Sequence, residues 1–462
     1  MRVHQASMFE SLLPVQTFEP SRLQWLPRGN NLLVMDRTTG RWVMLPKALE
    51  PVVRLLGTHF SSNDDVSTQL KDQAGKLRQA LMERNIGSGE RKSFDNFNTL
   101  IIKVTKSCNL ACTYCYDIES GETPQAMDTE LGLQAIRQAI DLCNGHLQII
   151  FHGGEPMLVW DTIEQLVIAG EHYAREQDVD IEFTGQTNLT CLTDRKVKFS
   201  LDHQLNWGTS VDGPQAQNDI FRVNLRGDGS HRLFERALQR YPEFVRRCGV
   251  MTVITSATHD QLLNTARYFH DLGMAAWDWS LFQPIGRGRD SNVHDFDIEV
   301  LKSAWEALLV AVESGEFTGF PVHPVLKYLN NFYHTPGTNM CMRPQCGAAR
   351  DLMSVSSDGR IEACDALDPV GPYANLGHLS NTSLQQARTS DTARTIRRRN
   401  VETGRCGSCI WYGVCGGTCL AHANGLHGIW DDACAMSLLA FEQISNSLAN
   451  SDSLISYMES IE

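Results

Sequence analysis

Eleven of the fourteen cysteines in this chain fall into tight groups. The first group is Cys108, Cys112 and Cys115, spaced C-x₃-C-x₂-C directly after the apolar stretch Leu100–Val104. Three thiolates in one short loop can hold three irons of a cubane. The fourth iron then has no protein ligand, so it can chelate a small molecule and pass it an electron at contact distance. Alone, the same spacing also suits a three-cysteine zinc site. The other eight are Cys341, Cys346, Cys364, Cys406, Cys409, Cys415, Cys419 and Cys434. Eight thiolates satisfy two cubanes completely, leaving no open iron, which suits electron relays or acceptors. The pair Cys406-x₂-Cys409 is equally a zinc signature, so two structural zinc sites stay open on spacing alone. Cys143, Cys191 and Cys248 are isolated and read as small buried hydrophobes.

The elements that must position these groups alternate. Apolar strand candidates are Leu100–Val104, Leu147–Phe151, Ile181–Thr184, Trp207–Val211, Val250–Ile254 and Trp277–Phe282. Helical patterns separate them, including Leu131–Leu142 and Asp260–Leu272, the latter stopped by Gly273. Such a series predicts a parallel sheet with helices outside and a site at the C-terminal strand ends. Before it, Leu32–Met35 and Trp42–Leu45 flank Gly40 as a β-hairpin, followed by helical patterns at about 47–56, 64–73 and 75–86. After it, residues 335–440 hold eight cysteines with little periodicity, as in a small region stapled by metal, and the tail 435–462 reads as a helix. The expected units are 1–92, 93–334 and 335–462.

A length of 462 residues suits two or three domains. The net charge of −13 argues against a nucleic-acid protein. No apolar run reaches membrane-span length, and the N-terminus lacks the charged-then-apolar order of a signal peptide, so a cytoplasmic location is expected. Clustered cysteines in a reducing compartment point to metal or catalysis rather than disulfides.

The Cys108–Cys115 spacing, with Tyr114 before the last cysteine, resembles the radical SAM superfamily. In that family the open iron of a 4Fe-4S cluster binds S-adenosyl-L-methionine (SAM), whose reductive cleavage gives a 5′-deoxyadenosyl radical. The resemblance implies a partial (β/α)₆ TIM-like barrel. It also implies SAM contacts at Tyr114, at the Gly153-Gly154-Glu155 motif, at Asn188 of Gln186-Thr187-Asn188, and at Ser210. Leu189 stands where related peptide-acting enzymes carry Gly. Arg222 is the candidate partner of the SAM carboxylate and Arg226 its competitor, while Gln283–Gly286 falls where the adenine pocket would close.

From Cys346 onward the spacing is similar to the SPASM extension of peptide maturases, with Cys341 as an eighth thiolate. By resemblance Cys341, Cys346, Cys364 and Cys419 hold one auxiliary 4Fe-4S cluster, and Cys406, Cys409, Cys415 and Cys434 the other. Asp365 stands where sulfatase-maturing relatives carry a catalytic base. The first 92 residues resemble a PqqD-like, winged-helix-like element that binds the leader of a precursor peptide as an added strand. The function implied is modification of a ribosomally made peptide by hydrogen abstraction and oxidative crosslinking, fed by a flavodoxin or ferredoxin. The layout is compatible with the His-Xaa-Ser peptide system. Formylglycine formation on a sulfatase is the alternative, and a non-catalytic zinc or iron–sulfur peptide-binding module is the alternative of another class.

Overall fold

Two apolar runs around Gly40 build the first sheet. The computed structural model describes residues 17–57, 67–118, 123, 125–290, 296–334, 336–423 and 425–461. Strands β1 (Leu23–Arg28), β2 (Asn31–Asp36) and β3 (Trp42–Pro46) pair antiparallel in that order. The expected hairpin is β2–β3, with Gly40 at φ +74° in its turn. Strand β1 is an addition to the sequence reading, because Pro27 breaks its pattern. A residue that cannot donate is tolerated on an edge strand. The patterns at 64–73 and 75–86 form one helix, Thr68–Glu83, capped by Ser67 Oγ, which accepts from the Leu70 amide. Residues 64–66 of the first pattern lie outside the described residues. Gly75 interrupts the pattern but not the helix, because its exposed position meets nothing. The sheet packs Leu32 and Val34 against Val53 of the helix Glu50–Arg54, Leu56 of the turn after it and Leu81 of the helix Thr68–Glu83.

The six expected barrel strands all form: β4 (Thr99–Thr105), β5 (His146–Gly153), β6 (Asp180–Thr187), β7 (Asn206–Ser210), β8 (Gly249–Ile254) and β9 (Ala276–Leu281). They are parallel and sequentially ordered. In β5 buried and half-buried residues alternate. Leu147, Ile149 and Phe151 join the hydrophobic core, while Ile150 and His152 line the interior cavity. The helices Thr129–Leu142 and Trp160–Glu176 cover the outer face with Ile136, Ile140, Ile163 and Leu166.

The C-terminal region is more regular than its sequence suggests. Strand β10 (Leu352–Val355) pairs parallel with β4, Leu352 opposite Thr99. Strands β11 (Arg360–Glu362) and β12 (Asn375–His378) continue antiparallel. The result is one open sheet of nine strands, β12-β11-β10-β4-β5-β6-β7-β8-β9. Segments of three or four residues, buried on both faces, carry no alternation to read. The tail forms two helices, Asp431–Asn450 and Ser453–Glu459. No helix among the described residues is long and apolar enough to cross a membrane.

The N-terminal unit is docked on this body. Trp42 stacks on Phe332 with centroids 4.7 Å apart and donates from Nε1 to the Phe332 carbonyl at 2.7 Å. Arg28 pairs with Glu442 at 2.9 Å. A Cβ on Gly413 would lie 2.3 Å from the Gly40 nitrogen, so the hairpin turn touches the C-terminal cysteine segment backbone to backbone.

Candidate active site

The C-terminal strand ends surround a cavity of about 540 Å³. Cys108, Cys112 and Cys115 line it from the loop after β4. That loop is held by β5. The Gly154 amide donates to the Thr105 carbonyl at 2.7 Å, and the Glu155 amide to Ser107 at 2.8 Å. Gly153 has φ +113°. A Cβ on Gly154 would sit 2.1 Å from the Ser107 oxygen, so no larger residue fits. The glycines therefore fix the cysteine loop itself. Burial pushes the Cys108 thiol up to about 12 and Cys112 up to about 11, and both feel the charge of Cys115. Such thiols become good ligands only when a cation replaces their protons.

Glu155 is buried and largely committed to its own chain. Its Oε1 accepts from Thr187 Oγ1 at 2.7 Å and from the Met157 amide at 3.0 Å, and Oε2 from the Asn188 amide at 2.8 Å. Burial raises its carboxyl, with these hydrogen bonds opposing. One lone pair of Oε2 remains for a ligand ammonium. Asn188 donates from Nδ2 to Asn109 Oδ1 at 2.9 Å, joining the β6 end to the cysteine loop. Leu189 adopts φ +61° and is buried, so the left-handed turn persists without glycine. Ser210 Oγ accepts from Gln186 Nε2 at 2.7 Å and lines the cavity.

Tyr114, Asp212 and Arg222 form a buried trio beside the cysteines. The Tyr114 hydroxyl donates to Asp212, Arg222 Nε lies 3.0 Å from Asp212 Oδ1, and the guanidinium sits 5.4 Å above the Tyr114 ring. Burial works against the Arg222 charge, but Asp212, together with Tyr114 and Cys112, more than offsets it, so the group stays cationic. Arg222 lines the cavity, whereas Arg226 is exposed on the following turn. Sequence reasoning missed Asp212 as the anchor, although it stands two residues after Ser210.

Below the cysteine loop lies a charge cluster that no sequence pattern announced. Lys103 Nζ is 3.0 Å from both Asp117 Oδ1 and Glu362 Oε2, and all three are buried. Lys106 Nζ is 3.4 Å from Asp117. Asp365 reaches the same cavity from the loop after β11. Its Oδ2 accepts from the Tyr116 hydroxyl at 3.1 Å, and that hydroxyl is 3.4 Å from His152 Nε2. Asp365 is thus brought to the sulfur loop from more than two hundred residues away.

The eight C-terminal thiols form two neighbourhoods. Cys341, Cys346, Cys364 and Cys419 lie within electrostatic reach of one another. Cys406, Cys409, Cys415 and Cys434 do likewise and line one small apolar cavity. Arg399 braces the intervening loop, donating to the carbonyls of Gly417, Thr418, Leu426 and Gly428. Of the isolated cysteines, Cys248 is buried, while Cys143 and Cys191 are half-buried.

Among the described residues no three His, Cys, Asp or Glu side chains converge tightly enough for a single metal ion. A zinc ion needs its sulfurs about 2.3 Å from one point. A cubane does not, since each thiolate meets its own iron, and an all-thiolate donor set suits it. Three thiols at the mouth of a large cavity, with glycine backbone beside them, fit a cluster that leaves room for a bound nucleoside.

A parallel half-barrel with a thiolate loop at its catalytic end, continued by a cysteine-rich region, defines an iron–sulfur enzyme that uses SAM. More particularly, residues 102–269 match the radical SAM superfamily and residues 346–410 match the SPASM iron–sulfur cluster-binding domain, so the chain carries a radical SAM domain followed by a SPASM domain. Its cofactors are SAM and 4Fe-4S clusters, auxiliary ones included. The chain is 22% identical over 337 residues to a cysteine-type anaerobic sulfatase-maturating enzyme of Clostridium perfringens, covering 70% of this chain and 88% of that one. Among solved structures it is similar to native anSMEcpe with bound AdoMet, with a TM-score of 0.66 and 20% identity, over 76% of this chain and 100% of that one. It is also similar to Streptococcus suis SuiB bound to the precursor peptide SuiA, with a TM-score of 0.55 and 16% identity, over 90% of this chain and 99% of that one.

Proposed function

We propose that the enzyme modifies a ribosomally made precursor peptide by hydrogen abstraction followed by oxidative crosslinking, forming a carbon–carbon or thioether bond. The observation that carries this reading is the N-terminal β1–β3 sheet and helix, docked through Trp42 and Arg28 onto the cysteine-bearing body. The wider overlap with the precursor-bound structure, 90% of the chain against 76%, supports it. The sheet serves as a PqqD-like leader-binding unit, since an edge strand offers unpaired amides and carbonyls to an added strand. A His-Xaa-Ser type precursor is the first peptide to try.

When bound, the cofactors supply a hydrogen-abstracting 5′-deoxyadenosyl radical from SAM and a one-electron acceptor at the auxiliary clusters. Cys108, Cys112 and Cys115 hold the SAM-binding cluster. Cys341, Cys346, Cys364 and Cys419 hold one auxiliary cluster, and Cys406, Cys409, Cys415 and Cys434 the other. Gly153, Gly154 and Glu155 receive the SAM ammonium, and Arg222 its carboxylate. Tyr114, Asn188 and Ser210 complete the pocket. Asp365 takes the substrate proton at a carboxylate oxygen. Loss of one hydrogen atom, one proton and one electron balances a net loss of two hydrogens per bond formed. Reducing electrons come from a flavodoxin or ferredoxin.

The test is mass spectrometry of a short peptide encoded beside this gene, co-expressed at low oxygen. Loss of two hydrogens, absent with Cys108→Ala, Cys112→Ala and Cys115→Ala combined, is expected. The second reading is sulfatase-type maturation, favoured by Asp365 and by the sulfatase-maturating relative. It is selected instead if the neighbouring peptide is unchanged and a sulfatase Cys or Ser becomes an aldehyde.

A further inference from the structure

Asp365 belongs to the C-terminal region, yet what holds it comes from the barrel. Its Oδ2 accepts from the Tyr116 hydroxyl at 3.1 Å, and its backbone carbonyl accepts from Lys103 Nζ at 3.4 Å. Tyr116 directly follows Cys115, and Lys103 lies on β4. Both holders are themselves fixed. Lys103 is 1% exposed and clamped between Asp117 and Glu362 at 3.0 Å each. It cannot swing away without depriving the buried Glu362 carboxylate of its cation and leaving Asp117 to Lys106 alone. The Tyr116 hydroxyl has a single proton. When it donates that proton to Asp365, His152 Nε2 at 3.4 Å must carry hydrogen and donate to the phenol oxygen. His152 Nδ1 is buried and has no hydrogen-bond partner among the described residues. The chain His152→Tyr116→Asp365 therefore runs in one direction and ends on Oδ2. The remaining oxygen, Oδ1, is within 3.5 Å of Cys364 Sγ and of nothing else that donates among the described contacts. Once Cys364 is a metal thiolate it has no proton to give, and Oδ1 is free.

We propose that Tyr116 and Lys103 are positioning residues that aim Oδ1 of Asp365 at the substrate. The proposal rests on the reading of Asp365 as the proton acceptor. In that step Oδ1 gains the proton, the bonding pair stays on the substrate, and neither Tyr116 nor Lys103 changes its covalent state. One consequence is that the cysteine loop and the acceptor carboxylate keep a common frame, because Cys115-Tyr116-Asp117 touches both.

The test uses the full-length, cluster-loaded enzyme with its peptide. Tyr116→Phe removes one oxygen and keeps the ring. Three quantities are measured: iron content with the visible spectrum, 5′-deoxyadenosine released, and modified peptide. Hydrogen abstraction does not need Asp365, so deoxyadenosine and iron should match the wild type. Modified peptide per deoxyadenosine should fall about tenfold or more, as a small misplacement of a reacting group permits, with the peptide KM unchanged. Asp365→Asn should lower the same ratio, and the double variant should be no worse than Asp365→Asn, because the two act as one unit. Lys103→Met combined with Glu362→Gln keeps the interior charge-balanced, since Asp117 retains Lys106, and should uncouple likewise. If Asp365→Asn lowers the ratio and Tyr116→Phe does not, the positioning role is wrong. Loss of iron in Tyr116→Phe would make the residue merely structural, which also overturns it. If Asp365→Asn itself leaves the ratio intact, the reading of Asp365 falls, and the inference with it.

Discussion

Leu189 shows how much a single residue can hide. It sits at φ +61°, where an L side chain costs roughly 1–2 kcal/mol, yet it is 1% exposed in the core. Burial and strain oppose each other, and burial wins, because emptying a buried leucine site costs about 2–5 kcal/mol. Leu189→Gly should therefore lower stability by about 1–3 kcal/mol in chemical denaturation, despite relieving the backbone. Gly154 is the opposite case. A methyl there meets the Ser107 carbonyl at 2.1 Å, so Gly154→Ala must push the cysteine loop away. Iron bound per chain should drop, while the absorption of the C-terminal clusters persists. The placement of residues carried by short motifs was legible in the sequence: Cys108, Cys112, Cys115, Gly153, Gly154, Ser210 and Arg222 line one cavity. Asp212, Lys103 and Glu362 were not, since a lone acid or lysine on or just after a strand looks like a solvated one until the fold buries it. Cys248 supports the bland reading of isolated cysteines, because burial pushes its thiol up to about 12. It should resist alkylation at pH 8 until the chain is unfolded.

At the scale of elements, the loop after β4 depends on charge as well as on sulfur. Burial disfavours the Asp117 carboxylate, but Lys103 and Lys106 outweigh that and hold it at about 2. A carboxyl depressed on folding adds stability that is complete above its unfolded pKa, near 3.9, and is lost as pH falls toward about 2. The thermal midpoint of the apo-protein should thus fall between about pH 4 and pH 2. Asp117→Asn should start lower and show less of that dependence. Arg399 plays the matching part for the second sulfur region, tying four carbonyls around Cys419. Arg399→Ala should cost iron there without disturbing SAM cleavage by the first loop. The barrel strands were legible because each apolar run has turn residues on both sides. Strands β10–β12 were not, because segments of three and four residues are too short to show a period.

Across the whole molecule, the N-terminal unit and the body behave as docked parts rather than as beads on a linker. Trp42 is the main bolt, through its stack on Phe332 and its indole hydrogen bond. Trp42→Ala should speed limited proteolysis between residues 87 and 96 and raise the peptide KM more than it lowers kcat. The sequence indicated three regions but not this contact, which joins residues 290 apart.

Strand β4 lies in the middle of the finished sheet, but its neighbour β10 is encoded some 250 residues later. A ribosome making this chain releases β4–β9 long before residue 352 emerges. Until then one edge of the nascent barrel has open amides and carbonyls, the kind of surface that seeks other strands. Chaperone demand during synthesis, and the solubility of any fragment cut before residue 356, should follow from that single delayed pairing.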